Sequence, residues 1–119
     1  MKYLCLVYGE EGMLDAMPGS EAEALKDESL AYDETLRERG HLLAAEALQP
    51  SRTARTVRVR RNQLLLTDGP FAETREQLGG FILVEARDHD EAVQLAANIP
   101  LARLWSVEVR PIKVLEKGG

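Results

Sequence analysis

Three side chains that are able to do chemistry stand close together in the middle of the chain, at Asp68, Glu73 and Arg75. A positioned carboxylate can act as a general acid or base, and a guanidinium can hold an anionic group. The segment also fits a structural role, in which Asp68 bonds to the backbone of its own turn and Phe71 packs into the core. Both interpretations stay open. The candidate catalytic residues here are Asp68 and Glu73, and the candidate ligand-binding residues are Asp68, Phe71, Glu73 and Arg75.

A third candidate acid or base is Glu46, which interrupts the apolar segment from Leu42 to Leu48. Burying an unpaired carboxylate would cost several kcal/mol, so Glu46 must face solvent, a partner or a pocket. In a pocket its pKa would rise, which makes a carboxylate usable as an acid or base near neutral pH. Glu46 is therefore also a candidate ligand-binding residue. Tyr8 and Trp105 join it, because each is an amphipathic side chain in a strand that is otherwise apolar.

Neither histidine has the neighbours of a metal site. His89 stands at a helix start, and His41 begins a strand, where it remains a candidate for lining a cleft. The pair Gly79-Gly80 precedes a strand rather than a helix, so it matches neither a P-loop nor a dinucleotide fingerprint. The sequence predicts no metal and no cofactor.

The overall charge argues against nucleic acid and anionic lipid as partners. The chain has a net charge of −5, and such partners require a positive field at the protein surface. The segment from Arg52 to Arg61 is the exception, but its arginines alternate with Thr and Val as on the solvent face of a strand. We expect no direct contact with nucleic acid.

Length and hydropathy predict one cytoplasmic domain over residues 1–119. The chain is long enough for a hydrophobic core and contains no long linker. No run reaches the roughly 18 apolar residues of a membrane span, and the N-terminus opens into a strand without the pattern of a signal peptide. Cys5, the single cysteine, lies in the apolar run from Tyr3 to Tyr8, and we expect a buried core residue there.

Hydrophobic periodicity and end signals predict the elements. Ser20 and Glu23 match a capping box at the start of the first helix, and Gly40 fits the position past its end. Arg61-Asn62 fits a two-residue hairpin turn. Asp88 and Glu91 cap the second helix. The predicted order is a strand from Lys2 to Tyr8, a loop from Gly9 to Gly19, a helix from Glu21 to about Arg39, a strand from His41 to Leu48, a hairpin with strands from Thr56 to Arg60 and Gln63 to Thr67, a strand from Gly80 to Ala86, a helix to Asn98, and a strand from Trp105 to Ile112.

Without the hairpin, this order is the ferredoxin-like βαββαβ arrangement of the α+β class. Two helices cover only one face of such a sheet. The first strand nevertheless has apolar side chains on both sides: Tyr3, Cys5 and Val7 on one, and Leu4, Leu6 and Tyr8 on the other. Because a second copy is the simplest cover for the other face, we predict a homodimer.

The central loop resembles the signature of a known family. From residue 68 the chain reads Asp-Gly-Pro-Phe and continues Ala-Glu-Thr-Arg-Glu-Gln-Leu-Gly-Gly-Phe, which is similar to the DGPF subgroup of the YCII-related proteins. The resemblance covers nearly the whole chain. It implies the dimeric α+β barrel fold, in which two sheets pair and a cleft lies between sheet and helices. It also implies a context beside extracytoplasmic-function sigma factors, and hence a sigma factor as a partner.

Two functional hypotheses follow. Relatives in this superfamily carry a His-Asp dyad, and one branch resembles enzymes that act on hydroxylated aromatic compounds; this chain has no histidine between Glu21 and Arg39, so the dyad roles are not carried over. The first hypothesis is a dimeric module that binds a small molecule or a regulatory partner such as a sigma factor. The alternative is an enzyme that performs acid–base chemistry on a phenolic or lactone-like substrate in the cleft between sheet and helices.

Overall fold

The computed structural model describes residues 1–117. Two short 3₁₀ turns, Ser51–Thr53 and Pro100–Arg103, connect longer elements. Within the described residues the strands are β1 (Lys2–Gly9), β2 (Leu42–Ala47), β3 (Arg55–Arg60), β4 (Gln63–Asp68), β5 (Gln77–Glu85) and β6 (Ser106–Pro111), and the helices are α1 (Glu11–Asp15), α2 (Gly19–Glu38) and α3 (His89–Ala97).

The main sheet has the strand order β2-β5-β1-β6, and all its neighbouring strands run antiparallel. This is the order of a ferredoxin-like sheet, with the β3–β4 hairpin inserted between β2 and β5. The α+β fold class predicted from the sequence is therefore confirmed. The hairpin turns at Arg61 and Asn62, both with positive φ (51° and 63°), as the sequence predicted.

The predicted start of α2 is wrong: the helix begins at Gly19, and Ser20 lies inside it and makes no capping hydrogen bond. Pro18 precedes the first helical residue, and its carbonyl accepts hydrogen bonds from the N–H groups of Glu21 and Ala22, each at 3.0 Å. Since Pro18 is extended, the helix begins directly after it. The end is as predicted, with Gly40 at φ +78° past the last helical residue.

The loop predicted from Gly9 to Gly19 contains the short helix α1. Glu11 in this helix accepts hydrogen bonds from both the backbone N–H and the hydroxyl of Ser51, and the N–H bond measures 2.7 Å. The contact ties α1 to the connection between β2 and β3. It also holds the pKa of Glu11 below its usual value, mainly through the hydroxyl bond.

The cap of α3 is confirmed. The Asp88 carboxylate accepts a hydrogen bond from the Glu91 N–H at 2.9 Å, and the Glu91 carboxylate accepts one from the Arg87 N–H at 2.8 Å. Asp88 thus accepts from a backbone N–H that the helix leaves unpaired, and Glu91 accepts from the N–H of the residue before the cap.

The core lies between α2, α3 and one face of the sheet. Its fully buried side chains include Tyr3, Leu36, Val84 and Cys5. On the opposite side, which we call the open face, Leu4, Leu6, Phe81 and Leu83 are only half-buried. The sequence predicted that both faces of β1 are buried. Within one copy only the face toward the helices is buried.

Candidate functional site

A cleft of about 360 Å³ lies between α2 and the main sheet. From α2, side chains at helical spacing of three and four residues point to one side, so a single helix face forms one wall. The cleft residues are Lys26, Ser29, Leu30, Tyr32 and Asp33 on α2; Val7, Ala45, Glu46, Ala47, Gly79, Gly80, Phe81 and Ile82 on the sheet; and Ile99, Pro100 and Leu101 after α3. Most of the sheet side is apolar or small, which leaves the polar groups on the helix.

Asp33 is a polar group of this cleft whose environment is changed by burial. Its side chain is half-buried, and the partial loss of water raises the pKa of the carboxyl, while the charge of Arg37 one turn later acts in the opposite direction. A raised pKa keeps more of the acid form near neutral pH and makes the carboxylate a better base. Asp33 was not among the candidates from the sequence.

Tyr32 fixes the wall that carries Asp33. Its hydroxyl donates a hydrogen bond to the carbonyl oxygen of Leu95 in α3, which holds α2 against α3. Burial also raises the pKa of the Tyr32 hydroxyl. The neighbouring carboxyl group is therefore held on a rigid element, as a binding or catalytic group requires.

The floor of the cleft depends on Gly80. A Cβ at this position would lie 2.8 Å from the carbonyl oxygen of Glu46 and 3.3 Å from the Cα of Ala47. The glycine thus permits close approach of β2 and β5, which a side chain would prevent. This contact gives the second glycine of Gly79-Gly80 a structural role in the packing of the two strands.

Glu46 borders the cleft, but its side chain follows the alternation of β2. It stands in register with Phe81, which is in register with Leu6, and both of these side chains belong to the open face. Its neighbours Ala45 and Ala47 face the helices instead. Of the environments left open by the sequence, Glu46 occupies an exposed one.

The loop between β4 and β5, residues 69–76, carries most of the other candidates on an open surface depression of about 660 Å³. Asp68 at its start is 90% exposed in its side chain and lies 3.4 Å from Arg55, its partner in the hairpin register. Arg75 forms an ion pair with Glu10, and Glu73 is exposed. Ion pairs this exposed add little to stability, and the depression that they line is open to solvent.

The same loop is held by its own hydrogen bonds. The Gln77 side-chain amide donates to the carbonyls of Ala72 (2.9 Å) and Thr74 (3.0 Å), and the Thr74 hydroxyl donates to the carbonyl of Glu76 at 2.7 Å. Phe71 does not pack into the core, contrary to the structural interpretation of the sequence. It is 77% exposed, and the Arg58 guanidinium lies 5.3 Å from its ring centre, because the hairpin places its basic face over the ring.

Tyr8 and Trp105 lie in two further depressions. Tyr8 and Phe71 share a depression of about 480 Å³ beside Leu78. Trp105 lines one of about 280 Å³, and its ring packs on Gly9 and Gly79. Its buried Nε1–H has no hydrogen-bond partner among residues 1–117. The structure therefore distributes the sequence candidates over separate surfaces and does not bring them together at one centre.

His41 is engaged at the sheet edge. Its Nδ1 lies 2.8 Å from the carbonyl oxygen of Glu85, and its backbone carbonyl accepts from the Glu85 N–H at 2.8 Å. Because a carbonyl only accepts, Nδ1 carries the proton in this arrangement. The residue joins the start of β2 to the end of β5.

Comparison with known proteins gives the family. The model of the YCII-related domain matches residues 1–116. The chain belongs to the YCII-related family. This YCII-related chain is 34% identical over 120 residues to "Uncharacterized protein R00369" of Rhizobium meliloti (strain 1021), with 99% of this chain and 97% of the relative covered.

A solved structure shares the fold of this YCII-related chain. It is the 5-chloro-2-hydroxyhydroquinone dehydrochlorinase TftG from Burkholderia phenoliruptrix AC1100, in complex with 2,5-dihydroxybenzoquinone. The TM-score is 0.56 at 19% sequence identity, covering 95% of this chain and 94% of the other. The resemblance predicted from the loop sequence is confirmed at the level of family and fold.

The polar residues of the YCII-related cleft lie on a helix, whereas the candidates from the sequence lay in loops and strands, and they were therefore missed. A signal was present in α2, where Ser29 interrupts the apolar stripe between Leu25 and Tyr32 and Asp33 follows four residues later. Polar side chains at this spacing on a core-facing helix need water or a ligand in front of them.

No helix within residues 1–117 is long and apolar enough to cross a membrane.

Proposed function

We propose that this protein binds a small, partly apolar molecule in the cleft between α2 and the main sheet. The observation that carries the proposal is the Asp33 carboxyl, half-buried in a cleft whose sheet side is mostly apolar or small, with a pKa raised by burial. A concave apolar space with a few convergent polar groups is the usual form of a ligand site. A carboxyl group that has lost part of its water without stabilising the fold is best explained by a ligand that it contacts.

Acid–base catalysis is the second candidate function, and Asp33 is the specific reason for it. A raised pKa brings the proton affinity of the carboxyl closer to that of a phenol or an enolisable carbonyl compound in neutral solution. In this proposal Asp33 accepts or returns one proton, and the rigid α2 holds it in place. Asp68 and Glu73, two of the earlier catalytic candidates, are exposed and line a different depression, and the exposed side chain of Glu46 at the border of the cleft follows the open face.

The volume and lining of the cleft suggest the class of ligand. About 360 Å³ lies at the lower end of the common range for small-molecule sites, roughly 300–1,000 Å³, so a single ring with few substituents fits best. Ser29 can bond to a hydroxyl, and the Lys26 ammonium stands at the rim for an anionic substituent. A hydroxylated ring compound, the class of the molecule bound to TftG, combines these properties.

The protein is also proposed to act as a homodimer through the open face. Leu4, Leu6, Phe81 and Leu83 make this face apolar across the two central strands, and they are half-buried within a single copy. Apolar patches of this kind on a sheet mark an interaction surface. A two-fold pairing of the same face from two copies would remove it from water.

A sigma factor as partner stays a prediction from the family resemblance. The surface available for it is the exposed loop with Asp68, Glu73 and Arg75, where acidic and basic groups alternate. Co-elution of the purified protein with a neighbouring sigma factor over a range of salt concentrations would test this partner separately from the cleft.

Thermal shift against a panel of phenolic acids, hydroxyquinones, lactones and small amines tests the cleft. Wild type is compared with Asp33→Asn, and Glu73→Gln serves as the matched control at the loop. A ligand at a hundred times its dissociation constant adds about 2.7 kcal/mol to the free energy of unfolding. We expect a shift that Asp33→Asn reduces and Glu73→Gln retains.

The opposite pattern, with the shift lost in Glu73→Gln, would move the site to the loop. A panel without any shift would remove the small-molecule proposal and leave the protein partner. Turnover of a binding compound that disappears in Asp33→Asn, while binding persists, would separate the enzyme from the binding module.

A further inference from the structure

The β3–β4 hairpin, which we call the arm, presents an apolar face to solvent. In its register Val57 pairs with Leu66 and Val59 pairs with Leu64, so these four side chains lie on one side. Their exposed fractions are between 56% and 61%. Branched residues in cross-strand pairs are the usual interior of a sheet. The arm thus has a core-like face without a cover in this copy.

The arm is poorly supported by the rest of its own chain. Within residues 1–117, β3 and β4 form a sheet of two strands, separate from the main sheet. An isolated two-stranded hairpin is marginally stable in water and needs a packing partner. Its base is anchored by a hydrogen bond from the Gly69 N–H to the Ala54 carbonyl at 2.7 Å and by one from the Thr56 hydroxyl to the Gly69 carbonyl at 2.9 Å.

The shape of the molecule also indicates a missing cover. Its extents are 49 × 47 × 19 Å and its radius of gyration is 16.6 Å, against about 13.5 Å for a compact chain of this length. The accessible surface is 8729 Å², whereas a folded monomer of this mass exposes about 6,400 Å². The extended segment 112–117 contributes to the excess. Even so, the difference of about 2,300 Å² is well above the roughly 800 Å² that each partner buries in a stable interface.

Charge identifies the partner as a second copy of this chain. The arm, residues 55–68, contains four arginines and one acidic residue, Asp68, and therefore carries a net charge of +3. The whole chain has a net charge of −5, so the remaining residues together carry −8. A basic arm and an acidic body in the same chain are complementary between two copies, and such complementarity guides association.

The position of the arm connects it to the open face. The depression at its base, about 480 Å³, is lined by Ala54, Pro70 and Phe71 from the segments that flank the arm and by Tyr8 and Leu78 on the sheet side. Tyr8 follows Leu4 and Leu6 on the open face of β1. The same face carries carboxylates at Glu46 and at Glu108, which is in register with Leu6.

We propose that the arm of each copy packs its apolar face against the partner copy, as an extension of the interface formed by the open face. Arg58 and Arg60 then lie on the opposite side of the arm, so the net positive charge of the arm, rather than direct ion pairs, attracts the acidic body of the partner; two-fold symmetry repeats the contact twice. The inference rests on the proposed dimer and adds the segment that holds it together. It is independent of the ligand in the cleft.

Sedimentation velocity over a concentration series tests this contact with matched variants. Leu64→Thr/Leu66→Thr alters the apolar face, and Leu65→Thr makes the same change on the opposite face of the same strand, where Leu65 is 46% exposed. Threonine keeps the strand propensity, and circular dichroism checks the fold. We expect the dimer dissociation constant to rise at least about a hundredfold in the double variant and to change little in Leu65→Thr.

Two further readouts belong to the same experiment. Added salt is expected to weaken the wild-type dimer, since opposite charges meet across the contact. Hydrogen exchange of the arm amides is expected to slow as concentration rises and the dimer forms.

A wild-type dimer whose dissociation constant is unchanged in Leu64→Thr/Leu66→Thr, with fast exchange in the arm, would overturn the arm contact and leave the open-face dimer standing. A wild-type protein that stays monomeric would overturn both, and so would binding of a short nucleic-acid duplex by the arm without self-association. None of these three results would alter a ligand shift that depends on Asp33.

Discussion

The indole ring of Trp105 fills the space in which a side chain on Gly79 would lie. A Cβ at Gly79 would collide with Cζ3 of the ring, and one at Gly9 would collide with Cδ2, Cγ and Cε2. Trp105 is thus seated on two glycines from adjacent strands, β1 and β5. The contact explains why a glycine is needed at position 79 even though its φ is not positive.

Gly79→Ala is expected to lower the free energy of unfolding by about 1–3 kcal/mol, because the added methyl group overpacks the ring. Denaturant titration measures the loss. Trp105→Phe should recover part of it, since a phenyl ring lacks the Cζ3 and Cη2 atoms that meet the new Cβ.

Gly12→Ala is the control for this change. Nothing lies within 4 Å of a Cβ at Gly12, and the residue is in α1, so alanine should be neutral or slightly stabilising. Equal losses in Gly79→Ala and Gly12→Ala would show that the ring contact is unimportant.

Asp33→Asn should change the pH dependence of stability. Burial raises the pKa of Asp33 above its value in the unfolded chain, so protonation favours the folded state. The contribution is fully present below the unfolded pKa, about 3.9, and is lost as pH rises through the folded pKa. Asparagine removes this loss.

Thermal melts between about pH 3 and pH 7 measure the effect, because they span the unfolded pKa. We expect Asp33→Asn to gain melting temperature over wild type as pH rises toward 7 and the two proteins to converge at low pH. Asp27→Asn, an exposed position on the same helix, is the control and should follow wild type throughout. A constant gap between Asp33→Asn and wild type would contradict the proposed environment of Asp33.

Cys5 is expected to react slowly with thiol reagents in the folded protein. The side chain is 1% exposed, and burial raises its pKa to about 11. Near pH 8 the thiolate is then about a hundredfold scarcer than in an exposed cysteine, and the reagent has no access. Labelling followed with and without denaturant checks this; equal rates would mean that β1 is open in the native state.

Asp88→Ala should lower the melting temperature near neutral pH through loss of the cap on α3. The hydrogen bond from the Glu91 N–H lowers the pKa of Asp88, so the stabilisation is present above the unfolded pKa and is lost as pH falls through the folded pKa. Wild type and Asp88→Ala should therefore converge in acid. Asp90→Ala, in the same turn, is the control and should cost less, since the cap hydrogen bond remains.

Local signals in the sequence were sufficient where a single residue sets the geometry. The positive φ of Gly40, the turn at Arg61 and Asn62, and the Asp88 cap were all predicted from residue type and spacing. The capping box at Ser20 failed because Pro18, two residues earlier, had already determined the helix start. Such competition between neighbouring signals is decided by the backbone and not by either motif alone.

The candidate site shows the limit of the same approach. The loop around Asp68, Glu73 and Arg75 was prominent in sequence, but its charges pair with Arg55 and Glu10 on an exposed surface. Asp33 gave a weak signal, because one aspartate in a charged helix is ordinary until the facing surface is known. The burial that raises its pKa arises from β2, β5 and the segment after α3, which are distant in sequence.

Residue patterns were enough to predict the order of the six strands and of α2 and α3, the family and the ferredoxin-like sheet, because each depends on periodicity, turn chemistry and a contiguous motif; the short helix α1 was missed. Tertiary structure alone decided which charged groups lose water, that Trp105 rests on Gly9 and Gly79, and that the arm keeps an apolar face exposed. The physical reason is that desolvation and packing depend on what lies opposite a side chain. Those neighbours are brought together by folding and are separated along the chain.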